Sequence, residues 1–141
     1  MQFKKFENAL TEYEKTELVP LIRSALISRY NKGLRSEYSA SQMCESLRSK
    51  LALKISTSRL RKIMHYLALS GLNTNLVICA NTKGYFLTND PAIIKKYMKS
   101  LHSRISSQLA KYKAIESDLA RMEDRKQMKL TDEFFAVNQE P

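Results

Sequence analysis

A short basic segment carries the residues of this sequence that are best suited to contact a polyanion. The segment 55–71 reads ISTSRLRKIMHYLALSG and contains Arg59, Arg61 and Lys62 within four positions. Guanidinium and ammonium groups donate hydrogen bonds to phosphate and to guanine, and a serine such as Ser58 can donate or accept them. The chemistry that this spacing indicates is nucleic-acid recognition.

The net charge of +10 is concentrated in the first hundred residues. Residues 1–100 hold 17 Lys and Arg against 7 Asp and Glu, whereas residues 101–141 hold 7 of each kind. No acidic residue occurs between Glu45 and Asp90. Such a field attracts polyanions, although a solvated basic face or binding to anionic lipid would fit the charge equally well.

The remaining chemistry-bearing residues do not form a catalytic or metal-binding motif. The sequence has no G-x-x-x-x-G-K-[ST], no G-x-S-x-G and no H-E-x-x-H. His65 and His102 lie far apart, and no cysteine or histidine has metal-ligand spacing. We expect Cys44 and Cys79 to be small buried hydrophobes in a reducing compartment. The chain is therefore predicted to be non-enzymatic, with no cofactor and no metal.

The chain length of 141 residues favours one domain, or one domain with an appendage. No apolar run exceeds five residues, whereas a membrane-spanning helix needs about 20. The opening residues, MQFKKFENAL, lack the apolar stretch of a secretory signal. We therefore expect a cytoplasmic protein without a membrane partner.

The first predicted helix begins at a capping box formed by Thr11 and Glu14. Pro20 removes a backbone donor inside this stretch, so the helix either kinks there or begins only at Glu17. Gly33 suits the left-handed position that follows a last helical turn. We therefore expect the helix to end just before this glycine.

Two further helices are predicted between residues 39 and 71. The second helix follows a capping box of Ser39 and Gln42. Its apolar side is expected to consist of Ala40, Met43, Cys44, Leu47 and Leu51. The third helix is the basic segment, capped by Ser56 and ended by Gly71. Its buried face, at helical spacing, is expected to consist of Leu60, Ile63, Met64 and Leu67.

A β-hairpin is predicted after the third helix. Residues 76–80, LVICA, and residues 85–88, YFLT, are rich in strand-forming side chains and flank the turn sequence NTKG. Lys83 would lie at the tip of this turn. Residues 34–38 are a poor strand by composition, but they could supply one or two bridging residues.

The contact surface is predicted on the face of the third helix that lies opposite its apolar stripe. At about 100° per residue, this face is centred on Ser58, Lys62 and His65. His65 is expected to be a polar surface residue, and Tyr66 either contacts phosphate or lies half-buried beside the core. The complete set of candidate DNA-binding residues is Arg48, Lys50, Lys54, Ser58, Arg59, Arg61, Lys62, His65, Tyr66 and Lys83.

The order helix, short strand, helix, helix and hairpin is that of a winged helix-turn-helix, and residues 11–89 resemble DNA-binding domains of this class. RLRKIMHYL followed by NLVICANTKGYFLTNDP is similar to an uncharacterised family of small phage and prophage proteins. In these, a basic helix precedes an L-I-A-T-x-x-G-Y-Y-like hairpin and a long terminal helix. Cys79, Asn81 and Phe86 depart from the commoner hairpin residues. The resemblance implies a mainly α fold with a winged-helix domain at residues 1–89, in a bacterial host and associated with its nucleoid.

A long terminal helix is predicted at residues 90–129, with Asp90 as its N-cap and Pro91 in its first turn. Its apolar residues alternate steps of four and three for about four heptads, and Gln108 fills one polar slot. The seam positions are Ile94, Met98, Leu101, Ile105, Tyr112, Ile115, Leu119 and Met122. We expect this seam to join a homodimer. Packing within the same chain or against a partner's helix is an alternative, and parallel and antiparallel pairing both remain open.

Residues 130–141 lose the heptad pattern and are predicted to form a disordered tail. Phe134 and Phe135 in this tail either dock a protein partner or belong to a frayed end.

Two functions from different classes fit these observations. The first is a double-stranded DNA-binding protein, either a phage-type transcriptional regulator or a replication-origin binder. It would read the major groove with helix 56–70 and contact the backbone with the wing at residues 76–88. The second is an adaptor whose basic face or coiled coil binds an acidic host or phage protein.

Overall fold

A computed structural model of the chain describes residues 10–138, with side chains described as far as residue 134. Within this range the fold is mainly helical and contains a two-stranded antiparallel sheet. The elements are α1 (Val19–Asn31), α2 (Ala40–Leu51), α3 (Thr57–Ser70), β1 (Val77–Asn81), β2 (Gly84–Thr88) and α4 (Pro91–Asn138). The predicted combination of a helical body, a small hairpin and a long terminal helix is confirmed.

A π-helical turn, Glu14–Leu18, leads directly into α1 and resolves the question raised by Pro20. The predicted capping box forms, because the Thr11 N–H donates to Glu14 Oε1 at 2.8 Å and the Glu14 N–H donates to Thr11 Oγ1 at 3.1 Å. The Val19 N–H then donates to the Glu14 carbonyl oxygen, which is the wider π-helical spacing. Pro20, which has no N–H to donate, lies just after this π-helical turn as the second residue of α1. A helix start delayed to Glu17 is therefore wrong.

The ends of α2 are set by local hydrogen bonds. The predicted capping box of Ser39 and Gln42 is confirmed, with donor–acceptor distances of 2.9 Å and 3.1 Å. At the other end Ala52 adopts a left-handed φ of 53°, and the Leu53 N–H donates to a carbonyl oxygen in the last turns of the helix. Leu51 is 51% exposed, so its assignment to the buried side of this helix is wrong.

The predicted packing of α3 is confirmed. The Ser56 hydroxyl accepts a hydrogen bond from the backbone N–H of Arg59 at 3.1 Å and caps the helix. The buried stripe consists of Leu60, Ile63, Met64 and Leu67, each no more than 1% exposed. Core residues from the other elements include Ile22 and Leu26 of α1, Met43 and Leu47 of α2, and Ile78 and Leu87 of the hairpin. The core therefore fixes which face of α3 meets solvent.

The hairpin pairs β1 with β2, and Asn81 lies opposite Gly84 at its closed end. Tyr38 adds an isolated bridge to β2. Its N–H donates to the Tyr85 carbonyl oxygen at 2.7 Å, and the Tyr85 N–H donates back at 2.9 Å. The prediction of a bridging residue in 34–38 is thus confirmed. A Cβ on Gly84 would lie 2.6 Å from the Tyr38 carbonyl carbon, so this close approach requires glycine.

The terminal helix α4 is capped as predicted, since the Ala92 N–H donates to Asp90 Oδ1 at 2.9 Å. The helix continues to Asn138, so the predicted end at residue 129 is too early and residues 130–138 are helical. The Thr131 hydroxyl donates to the Gln127 carbonyl oxygen at 2.9 Å within this extension. The last three residues of the predicted tail lie outside the described residues.

The chain separates into two compact units, one ending at Tyr97 and one beginning at Met98. The first contains the apolar core, the hairpin and the basic segment, and the second consists of the distal part of α4. Within the described residues, no helix has the length and the apolar content that crossing a membrane would require.

Candidate nucleic-acid interface

The exposed face of α3 carries four of the candidate residues, Ser58, Arg61, Lys62 and His65. The buried stripe of the same helix holds the opposite side in the core. Helical geometry therefore directs these polar side chains outward, with the basic pair within the first two turns. This arrangement agrees with the predicted contact surface.

Arg59 requires a correction, because it forms an ion pair with a carboxylate of the same chain. Arg59 Nε donates to Glu14 Oε2 at 2.8 Å, and a terminal guanidinium nitrogen donates to Glu14 Oε1. Glu14 is 5% exposed, and the hydrogen bond from Arg59 lowers the pKa of its carboxyl to about 2. A guanidinium held in this way has its bidentate donors occupied. Arg59 therefore ties the start of α3 to the first helical stretch rather than reading bases.

Arg48 is also paired, but in a different setting. Its guanidinium lies 2.6 Å from a carboxylate oxygen of Glu45, and the two side chains are 61% and 60% exposed. The hydrogen bond to Glu45 raises the pKa of Arg48. An exposed pair of this kind contributes little to stability, so a phosphate can replace the carboxylate. We therefore retain Arg48 among the candidate phosphate contacts.

A shallow depression of about 460 Å³ lies between α2 and the start of α3 and brings several candidates together. Arg48, Lys54 and the capping residue Ser56 line it. Cys44 lines it as well; burial raises the pKa of this thiol, and the charge of Arg61 acts in the opposite direction. The depression therefore brings Arg48 and Lys54 together beside the start of α3.

Helix α3 packs against β1 of the hairpin. Burial raises the pKa of Tyr85 on β2, while the charge of Arg61 opposes this rise. Tyr66 is half-buried and packs against the core, which agrees with the second of the two roles predicted for it.

Lys83 is exposed in the turn between β1 and β2, as predicted. Its backbone N–H donates to Asn81 Oδ1 at 2.8 Å, which orders the turn. Asn81 Nδ2 donates to Glu37 Oε1 at 2.9 Å. This hydrogen bond lowers the pKa of Glu37, and the charge of Lys83 contributes in the same direction. Glu37, which the sequence did not single out, therefore weakens the positive potential at the tip.

Lys50 lies apart from the other candidates. It lines a groove of about 400 Å³ between α1 and α2, together with Arg29 and Lys32. None of the candidate residues on α3 lines this groove. Lys50 and Arg48 therefore border different depressions, and the contact of Lys50 with DNA stays a prediction.

The heptad seam is largely uncovered in the single chain. Ile94 and Leu101 are half-buried. The exposed seam residues, each between 54% and 65% exposed, are Met98, Ile105, Tyr112, Ile115, Leu119 and Met122. In other proteins, exposed apolar patches of this kind often mark sites of association.

The two cysteines are free thiols, with Cys79 buried and Cys44 half-buried, as expected for small core residues. Among the residues described, no three His, Cys, Asp or Glu side chains are grouped so that they could hold a metal ion. A scan against protein-family models and searches of curated proteins and of solved structures gave no match to this chain. Function is therefore inferred from the side chains of the site.

Proposed function

We propose that this chain is a non-enzymatic double-stranded DNA-binding protein of the winged-helix class, acting as a phage-type transcriptional regulator or a replication-origin binder. The observation that carries the proposal is the division of α3 into two faces. One face is fully buried, and the other exposes Ser58, Arg61 and Lys62. No acidic residue lies anywhere in the sequence between Glu45 and Asp90 to balance them.

The strand pairing supports the winged-helix part of the proposal. Tyr38, which lies between α1 and α2, forms an isolated bridge with Tyr85 of β2. The order of helix, bridging residue, helix, helix and hairpin is consistent with the one that the resemblance implies. In this arrangement the hairpin is the wing, and Lys83 at its tip contacts the DNA backbone or the minor groove.

The chemistry of the exposed face matches duplex DNA. A helix about 10–12 Å across fits the major groove, and Arg61 and Lys62 can donate to guanine O6 and N7. Arg48 and Lys54, at the depression beside the start of α3, supply phosphate contacts that position the helix. The proposal no longer needs Arg59, which is held by Glu14.

Pairing of two chains through α4 is the second part of the proposal. A two-fold symmetric pair presents two copies of α3, so its DNA site is expected to contain two half-sites. Dimeric helix-turn-helix proteins favour half-sites about one DNA turn apart or a multiple of that distance. A selection of binding sequences from a pool of random duplexes would reveal this symmetry directly.

The proposal is tested by measuring binding to a labelled random-sequence duplex pool by fluorescence anisotropy at low salt. The test variant is Arg61→Ala with Lys62→Ala, and the matched control is Lys99→Ala with Lys113→Ala, which removes the same charge from exposed positions of α4. We expect at least a tenfold loss of affinity in the first variant and little change in the control. Equal losses of affinity in both variants would mean that net charge alone, and not the face of α3, determines binding. Absence of binding by the unaltered chain would refute the proposal.

A second candidate function is suggested by the groove between α1 and α2. Its floor includes Ile22 and Leu26, and basic side chains at its rim include Arg29, Lys32 and Lys50. An apolar groove with a cationic rim suits an amphipathic helix with acidic flanks. In this case the chain is an adaptor for an acidic protein. The double variant Lys32→Glu with Lys50→Glu should then abolish binding of that partner. Duplex DNA should not be bound by the unaltered chain.

A further inference from the structure

The flanks of the exposed seam on α4 are not charged uniformly. Heptad numbering with Met98 at position a places the residues beside the seam at positions e and g. In the first half these flanking positions hold His102, Arg104, Leu109 and Lys111, and in the second half they hold Glu116, Asp118 and Glu123 before Arg125. The seam is therefore bordered by basic residues followed by acidic residues along one helix.

We propose that a second copy of the chain covers this seam in the antiparallel direction, with the two-fold axis at residue 110. The inference rests on the pairing part of the proposed function and is independent of DNA binding. Antiparallel packing sets the basic half of one seam against the acidic half of the other, whereas parallel packing in register combines one favourable and one unfavourable kind of flanking contact, which offset each other. Charge complementarity therefore selects both the occupant and its direction.

The register follows from the seam residues themselves. When Met98 lies opposite Met122 of the second copy, every following layer also joins two seam residues. These layers pair Leu101 with Leu119, Ile105 with Ile115, and Gln108 with Tyr112 of the second copy. Each apolar seam residue therefore packs against an apolar residue of the second copy, and the register is the same in every layer.

The polar slot at Gln108 is explained by this register. Its amide lies in the same layer as the Tyr112 hydroxyl of the second copy, and symmetry repeats this pair once on the other side of the axis. The hydroxyl and the amide can satisfy each other by hydrogen bonding in a buried layer. Parallel pairing would place Gln108 against Gln108 and Tyr112 against Tyr112.

The flanking contacts agree with the same register. In antiparallel pairing g positions face g positions, so Arg104 faces Asp118 of the second copy. The e positions likewise face e positions, so His102 faces Glu116 of the second copy. Asp118 already pairs with Arg121 on its own helix, and its carboxylate has further acceptor positions for Arg104. Among these flanking contacts, the only like-charged one joins Lys111 to Lys111 of the second copy at the two-fold axis.

Parallel pairing makes a different set of flanking contacts. Each g position then faces the e position five residues further along the second copy. Lys111 would face Glu116 favourably, but Asp118 would face Glu123, and Arg104 would face Leu109. The carboxylate at position 118 therefore distinguishes the two directions, because it is attracted in one and repelled in the other.

The first experiment measures the dimer dissociation constant by sedimentation equilibrium in the absence of DNA. Asp118→Arg places like charges together in the antiparallel dimer, twice by symmetry, and should weaken it about tenfold. Adding Arg104→Glu should restore the lost affinity. The matched control Lys113→Glu, at an outer heptad position, should change little. Tighter association of Asp118→Arg would instead indicate parallel pairing and overturn the proposal.

The second experiment fixes the geometry by cysteine cross-linking of the full chain. Disulfides require Cα atoms closer than about 7 Å. In the antiparallel register residues 98 of the two copies lie about 36 Å apart, at 1.5 Å rise per residue. A mixture of Met98→Cys and Met122→Cys chains should therefore form the mixed disulfide, and neither variant should cross-link to itself. The unaltered chain, oxidised under the same conditions, controls for disulfides formed by Cys44 and Cys79.

Self-cross-linking of either single variant would overturn the antiparallel register. A chain that stays monomeric at micromolar concentrations would overturn the pairing itself. Because neither measurement contains DNA, their failure would leave the proposed action of α3 to be judged separately. Loss of duplex binding with an intact antiparallel dimer would refute DNA binding and leave the dimer standing.

Discussion

The helices α3 and α4 both carry an apolar stripe at helical spacing, but the stripes have different environments. In α3 the stripe is covered by α1, α2 and the hairpin, and Leu60 is fully buried. In α4 the comparable residue Leu119 is 54% exposed. The opposite faces differ as well, because the exposed side of α3 has an excess of positive charge whereas residues 101–141 hold equal numbers of acidic and basic residues.

This contrast shows how an apolar stripe and its flanking charges together indicate a partner. An apolar stripe that the same chain covers leaves the charged face for recognition, and unbalanced positive charge suits a polyanion. An uncovered stripe with balanced charges suits another protein helix, since opposite charges can pair across the interface. One chain therefore holds two surfaces with different kinds of partner.

The largest expected effect comes from the same substitution made in the two regions. Leu60→Ala should destabilise the first unit by about 3 kcal/mol, since it removes a fully buried side chain and leaves a cavity. Leu119→Ala should leave that unit unchanged and weaken only self-association. Urea unfolding followed by tyrosine fluorescence, repeated at two protein concentrations, separates the effects. Equal, concentration-independent losses in both variants would show that the stripe of α4 is covered within one chain.

The next largest effect concerns the ion pair that holds α3 in place. Glu14→Gln removes a buried carboxylate whose pKa is lowered to about 2 from 4.5, a shift that corresponds to about 3 kcal/mol of stability. The matched control is Glu45→Gln. Because the ion pair of Glu45 with Arg48 is exposed, this variant should change stability little. Similar unfolding midpoints for the two variants would contradict a structural role for Arg59.

The same pair predicts a pH dependence of stability. The folded-state pKa of Glu14 lies below its unfolded value, so its contribution is complete above about pH 4.5 and is lost as the pH falls towards 2. Urea midpoints measured between pH 6 and pH 3 should decline in the unaltered chain and decline less in Glu14→Gln. Parallel pH profiles would assign the acid sensitivity to other carboxylates.

The smallest effect concerns the turn between α2 and α3. Ala52 adopts a left-handed φ of 53°, which glycine adopts without a steric cost. Ala52→Gly should therefore raise the free energy of unfolding by about 0.5–1 kcal/mol. A decrease would mean that the loss of chain entropy outweighs the relief of strain at this position.

The parts of the fold that the sequence predicted are those set by neighbouring residues. The capping box of Ser39 and Gln42 and the buried stripe of α3 depend on spacings of three or four residues, and both are confirmed. The pair of Arg59 and Glu14 joins residues 45 positions apart. No local pattern reports such a contact, because Glu14 already had an explanation as the partner of Thr11 in a helix cap.

The site shows the same limit. The outward direction of Lys62 and His65 follows from the periodicity of one helix, and the structure agrees with it. The proximity of Arg48 and Lys54 to the start of α3 depends on how α2 packs against α3. The position of Lys50 beside a different groove depends on how α1 packs against α2, which charge counting along the sequence does not report.

The measurement that tests the central claim most directly is the salt dependence of binding to a random-sequence duplex pool. With about four phosphate contacts per chain, the logarithm of the binding constant should fall against the logarithm of salt concentration with a slope near −3.6. Replacing the proposed phosphate contacts Arg48 and Lys54 by alanine should make the slope shallower by about 1.8, whereas the Lys99→Ala and Lys113→Ala control should keep the original slope. An unchanged slope in the variant that lacks Arg48 and Lys54 would contradict the account.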